Sequence, residues 1–149
     1  MNPRITGDML IGEVGAAIAA ANNTDSNSDI LDMAGYEGVI FIAAIASSLA
    51  TGVASLVIET NTVNSDSGMA VVAGGTASVT AVGTELAGQL LTAEIYQPRK
   101  RYVQAVRKSA TANIAFGALI AIRYGAKKLP ITADATVSAG VAVTSPPDA

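Results

Sequence analysis

Short apolar runs separated by clusters of Gly, Asn, Asp and Ser dominate the chain, at intervals that suit the strands of a β-sandwich. Residues 39–46 place Val39, Phe41, Ala43 and Ile45 on one face of an extended segment and Ile40, Ile42 and Ala44 on the other, because strand side chains alternate with a period of two. Both faces are apolar, which predicts a strand covered on both sides, by a second sheet and by something beyond it. Residues 53–60 follow as its expected antiparallel partner. Residues 69–73 and 77–82 flank Gly74-Gly75, a pair able to take the positive φ angles of a tight hairpin. Leu90, Thr92, Glu94 and Tyr96 alternate with Leu91, Ala93 and Ile95 until Pro98 ends the run. Over residues 101–108, Tyr102, Gln104, Val106 and Lys108 oppose Arg101, Val103, Ala105 and Arg107, and residues 114–124 supply a last strand.

The N-terminal part is less regular. Residues 9–21 fit helix by their Ala content and resist it by Gly12 and Gly15, and the polar stretch Asn22–Asp29 reads as a loop before a short strand at residues 30–33. From Pro130 onward the chain is rich in Ala, Thr, Ser and Pro. That composition predicts an extended arm outside the core, in which Val137, Ala139, Val141 and Val143 alternate as a strand would. About eight strands without helices predict an all-β fold, a two-sheet sandwich of jelly-roll type. The expected organisation is an N-terminal arm or first strand plus loop over 1–27, a β-sandwich core over 28–131, and a C-terminal extended arm over 132–149.

A length of 149 residues suits one domain. Half of the residues are apolar but only 4% are aromatic, and Ala alone fills 29 positions. A methyl side chain buries little area, so an Ala-rich core is weakly stabilised per residue; with a mean hydropathy of +0.44, the composition calls for a partner surface. Residues 38–58 carry no charge over a length able to span a bilayer. Their centre, Ala46-Ser47-Ser48-Leu49-Ala50-Thr51-Gly52, is polar where a spanning helix is most apolar, and Glu37 and Glu59 flank it without a basic anchor. Two strands and a turn are therefore expected, with no membrane span. The N-terminus lacks the apolar stretch of a signal peptide.

With no Cys and no His, the chain has no thiol nucleophile, no Ser-His-Asp triad and no zinc site of the usual type. Asp25, Asp29, Asp32 and Asp66 fall in turn-rich segments where Asp is common for conformational reasons, and Asn61–Ser67 lacks the spacing of a calcium loop. Gly74-Gly75 and Gly83 are not followed by the helix and Lys of a phosphate cradle. No enzyme activity and no cofactor are expected. The charge is divided: residues 1–98 hold one base against ten acids, residues 99–149 eight bases against two acids. A bipolar chain of this kind attracts copies of itself or an oppositely charged partner.

Four strings carry a likeness to a known family: Asp32-Met33-Ala34-Gly35-Tyr36-Glu37-Gly38-Val39-Ile40-Phe41, Tyr96-Gln97-Pro98-Arg99-Lys100-Arg101-Tyr102-Val103, Ala110-Thr111-Ala112-Asn113, and Ala121-Ile122-Arg123-Tyr124-Gly125-Ala126-Lys127-Lys128-Leu129-Pro130. In this order and spacing, over roughly residues 28–131, the chain resembles the capsid cement, or head decoration, proteins of tailed bacteriophages. The resemblance implies a β-sandwich on the outer surface of the head, often a homotrimer, bridging neighbouring copies of the major capsid protein. Two departures are a less acidic loop at Asn61–Gly68 and a tail over 132–149 that runs beyond related sequences.

The basic residues Arg99, Lys100, Arg101, Arg107, Lys108, Arg123, Lys127 and Lys128 are the candidate contacts to capsid or sister subunits. Tyr96, Tyr102 and Tyr124 nearby invite a nucleic-acid reading, but an isoelectric point near 4.7 argues against it. The plainer reading pairs these bases with the chain's own acidic first half or with an acidic partner. Beside a virion cement protein stand two alternatives: another phage structural module, such as a head-fibre base or tail-associated unit, and a sugar-binding or depolymerising module. The absence of Trp counts against the last.

Overall fold

The computed structural model describes residues 5–129 and 131–142. After a helical turn at Ile5–Asp8, ten strands follow: β1 (Leu10–Gly15), β2 (Ile18–Ala21), β3 (Thr24–Asn27), β4 (Leu31–Asp32), β5 (Gly38–Ser48), β6 (Val53–Asn61), β7 (Ala70–Thr80), β8 (Leu90–Tyr96), β9 (Tyr102–Ala110) and β10 (Ile114–Tyr124). They form two antiparallel five-stranded sheets. Sheet A runs β1-β10-β5-β8 with β2 also on β10, and sheet B runs β3-β9-β6-β7 with β4 also on β9. Counting β1 with β2, and β3 with β4, as single interrupted strands gives eight strands in the orders 1-8-3-6 and 2-7-4-5. That is the order of a jelly roll, two sheets built from Greek keys.

The core lies between the sheets. Val39, Phe41, Ala43 and Ile45 of β5 face Leu56 and Ile58 of β6 and Val103 and Ala105 of β9, all essentially inaccessible to solvent. Both Phe residues of the chain, Phe41 and Phe116, are in this layer. Ala43, Ala54, Ala105 and Ala121 fill the space between larger side chains, so the Ala content is used here for close approach of the sheets.

Several expectations are corrected. The segment 53–60 does not pair with 39–46: β5 lies in sheet A and β6 in sheet B, and the turn at Leu49–Gly52 carries the chain across. Alternation makes a strand but does not choose its neighbour. Gly74-Gly75 forms no hairpin, because both flanking halves belong to β7 and pair with β6. The register steps from Val57↔Thr76 to Glu59↔Val71, so the Gly pair sits in a wide bulge, with Gly74 at φ +76. Within the polar stretch Asn22–Asp29, Thr24–Asn27 is a strand on β9. An edge strand needs no apolar face when its side chains are bonded, as Thr24 Oγ1 is to Ser109 Oγ at 2.8 Å.

The ambiguous residues 9–21 are strand, broken between β1 and β2 near Gly15. In the tail, residues 131–142 contain no strand; the alternation expected from Val137 reaches Val143, which lies outside the described residues. The tail returns to β1, where Ile131, Ala133 and Val137 line a small cavity of about 80 Å³ with Met9, Leu10 and Ile11. There the amide of Glu13 donates to Thr136 Oγ1 at 2.9 Å, and the Asp134 carboxyl occupies the space a side chain at Gly12 would need. No described helix is long and apolar enough to cross a membrane.

A candidate interaction surface at one end of the sandwich

Three loops meet at one end of the sandwich: Met33–Glu37 between β4 and β5, Gln97–Arg101 between β8 and β9, and the segment after β10. Backbone bonds tie them together. Met33 N donates to Arg101 O, Gln97 N to Glu37 O, Glu37 N to Tyr124 O, and Lys127 N to Gly35 O, at 2.6–2.9 Å. Gly35 and Gly125 take positive φ, and Gln97 does so as well at φ 49, which turns the chain sharply after β8. The loops enclose an open cleft of about 410 Å³, lined by Met33–Glu37, Gln97–Arg101 and Lys127.

This end gathers most of the candidate bases, in different electrostatic conditions. Arg101 is committed to Asp32 through two bonds, Nε to Oδ1 at 2.8 Å and Nη2 to Oδ2 at 2.7 Å, and stacks on the Tyr102 ring at 5.3 Å. The Arg101 hydrogen bonds, with that from the Ala34 amide, pull the Asp32 carboxyl down to about 2. Arg123 lies over the Tyr36 ring at 5.1 Å and reaches the Asp32 carbonyl at 3.3 Å. Arg99, Lys100 and Lys127 line the cleft, and Lys128 follows, exposed. These four have no salt bridge among the described residues, so the mouth of the cleft is positive, with Glu37 the only acid among the described residues that line it.

Two candidates are elsewhere. Lys108 is six residues along β9 from Tyr102, about 20 Å away, where it pairs with Asp25 at 3.0 Å. Arg107 is withdrawn from any contact surface: it is 2% exposed, on the inner face of β9, with Nη1 donating to Gly117 O at 2.6 Å. The alternation of 101–108 groups Arg107 with Val103 and Ala105, and the fold buries all three. Desolvation lowers its pKa. The clustered acids are likewise dispersed, Asp25 to Lys108, Asp32 to Arg101, and Asp66 to Gln104 and Asn27.

A second surface adjoins the cleft. The register aligns Ile11, Ile122 and Ile40 with Glu94 in one row, and Glu13, Ile120, Ile42 and Thr92 in the next, on the outer face of sheet A. The row beyond holds Tyr124, Gly38 and Tyr96; a side chain at Gly38 would collide with the Tyr124 ring. Burial, then a hydrogen bond to Glu94, pushes the Tyr124 hydroxyl up to about 12. The apolar outer side of β5 was evident from sequence. Its continuation onto β10 and β1 was not, because a bulge between Phe116 and Leu119 shifts the alternation of β10.

No family model matches the chain, and no curated protein is significantly similar to it in sequence. Among solved structures, the fold is similar to that of the PBSX exported protein XepA, with a TM-score of 0.55 at 15% identity over 97% of this chain. The chain spans about half of that protein, 46% of its length. Weaker likenesses are to the Bacillus endospore appendages described as disulfide-linked pili (TM-score 0.43, 13% identity, 83% of this chain and 96% of that one) and to desmodium yellow mottle tymovirus (TM-score 0.35, 11% identity, 78% and 87%). At these identities the first likeness shows a shared fold.

Proposed function

We propose that the protein is a non-enzymatic structural subunit of a bacteriophage virion, a cement or decoration protein that binds the outer surface of the head as a homotrimer and bridges neighbouring major capsid proteins. One observation carries this reading. Three strings of the phage resemblance, separated by up to about ninety residues in the chain, converge on one cleft, and every residue lining it belongs to one of them. The same strings also supply core residues, Met33, Val39, Phe41, Val103 and Ala121; what supports an interface is that their cations Arg99, Lys100 and Lys127 share one cleft. The jelly-roll order and the overlap with a PBSX exported protein are compatible with it.

In this reading Arg99, Lys100, Lys127 and Lys128 meet acidic capsid surface, and the Ile face of sheet A packs beside them. A subunit that binds only the assembled shell stabilises that shell by mass action, and linked copies add avidity. The test is co-sedimentation of the purified protein with expanded heads lacking it. Saturable attachment is expected, with the triple variant Arg99→Ser, Lys100→Ser, Lys127→Ser binding at least tenfold more weakly and with a shallower salt dependence. Failure of the wild type to attach in excess overturns the proposal, and degradation of a polysaccharide overturns its non-enzymatic part.

A further inference from the structure

A sandwich has four sheet edges, and here they are treated unequally. The β1 edge is covered, since Thr136 accepts from Glu13 N and Asp29 N donates to Val14 O. The β3 and β4 edge is short and polar, and the β7 edge is broken by its bulge at Gly74-Gly75. These are the usual ways of blunting an edge against further pairing. The β8 edge has none of them. Its register on β5 is unbroken from Gly38↔Tyr96 to Ala44↔Leu90, and Leu90 and Tyr96 are 61% and 59% exposed. Ile45 N donates to Gln89 O and Gln97 N to Glu37 O. Because bonded pairs alternate along an antiparallel ladder, Leu91, Ala93 and Ile95 bond to β5, and the amides and carbonyls of Leu90, Thr92, Glu94 and Tyr96 point to the open edge.

The chain also holds a strand-like segment with no assigned place. Ser138–Ala142 is exposed and outside any element, with Val141 at 85%. The sequence continues the alternation of small apolar residues through Val143 and carries no charge until Pro146-Pro147 ends it. Between β8 and β7 lies a groove of about 400 Å³ lined by Val71, Val72, Ile95 and Tyr96 and, toward the basic loop, Arg99 and Lys100; a second hollow of about 190 Å³ lies by Gly74, Gly75, Thr92 and Glu94.

We infer that the β8 edge accepts the segment beginning at Ser138 from a second copy of this chain, as an added strand of sheet A. The donor cannot be the same copy. From the strap beside β1 to a position beyond β8 is five inter-strand spacings, about 24 Å, and at roughly 3.4 Å per residue the crossing uses seven of the eight residues before Pro146. Donor and acceptor lie on opposite edges of one sheet, so the contact is head-to-tail and propagates into a closed ring or an open chain. This inference rests on the homotrimer of the proposed function, where the ring closes at three.

Sedimentation velocity on the wild type, a variant ending at Val137, and the point variants Val141→Pro and Thr92→Pro tests it. Thr92 N–H faces the open edge, so proline there removes an acceptor-strand bond without breaking the β5 ladder. The expected result is a trimer for the wild type, a monomer for the truncation, and at least tenfold weaker association for each proline variant, with far-ultraviolet circular dichroism unchanged. A trimer that survives truncation, or a monomeric wild type, overturns the inference. Head attachment by a monomeric wild type overturns arm exchange alone, whereas a tail-dependent trimer that ignores heads overturns the cement reading alone.

Discussion

On the outer face of sheet A, Ile40 and Ile42 of β5 lie beside Ile122 and Ile120 of β10, with Ile11 of β1 extending the row. On the outer face of sheet B the equivalent positions hold a closed polar network. The Gln104 amide donates to Glu59 at 2.8 Å and to Asp66 at 2.9 Å, Asn27 donates to Asp66 at 2.7 Å, and Asn61 anchors the loop that carries Asp66 by donating to the carbonyls of Ser65 and Ser67. Gln104 and Val106 are as buried by this arrangement, at 1% and 2% exposed, as residues between the sheets. Sheet B therefore completes its own outer layer. Sheet A leaves half-buried isoleucines that gain roughly 25 cal/mol for each Å² a partner covers. The two faces share one architecture and differ in how far the chain's own side chains cover them.

The largest expected effect falls on the self-contained face. Gln104→Ala removes the donor shared by two carboxylates and should cost about 2–3 kcal/mol in urea unfolding, while attachment to heads changes only as far as folding does. An unfolding midpoint equal to that of the wild type would mean that the network is incidental. On sheet A, Ile42→Lys should do the reverse. Unfolding free energy shifts by no more than about 1 kcal/mol, as for other surface substitutions, whereas attachment to heads weakens at least tenfold; undiminished attachment would remove this face from the interface. The smallest effect is an acid dependence at the loop end that joins the faces. Asp32 is depressed in the folded chain to about 2 from 3.8, so its contribution is present above about pH 4 and is lost as the pH falls toward 2. Arg101→Ser should flatten that part of a melting-temperature profile. The change is small because the pair is solvent-exposed, and an unaltered profile would assign the acid sensitivity to other carboxylates.

Much of this fold was legible in the chain. The alternation at 39–46, 90–96 and 101–108 locates β5, β8 and β9, and the apolar character of both sides of 39–46 anticipates the apolar outer face of sheet A. What escaped has identifiable causes. Thr24–Asn27 is stabilised by hydrogen bonds to β9 rather than by hydrophobic burial, so no apolar pattern marks it. The positive φ that Gly74 supplies serves a bulge as well as a hairpin, and the choice depends on β6, which both halves of β7 share. The eight bases were indistinguishable as charges in a string. Only placement shows that Arg107 is buried and that Arg101 and Lys108 are bonded to acids.

The sequence by itself determined an all-β chain, the inner and outer sides of its main strands, an Ala-rich and aromatic-poor composition, and a basic second half. These follow from side-chain period and composition, which are local. Tertiary structure decided which strands pair, which edge stays open, and which cations are bonded to acids. Strand pairing and charge pairing are contacts between residues far apart in the chain, and a period of two is compatible with many partners until the sheets close around one core.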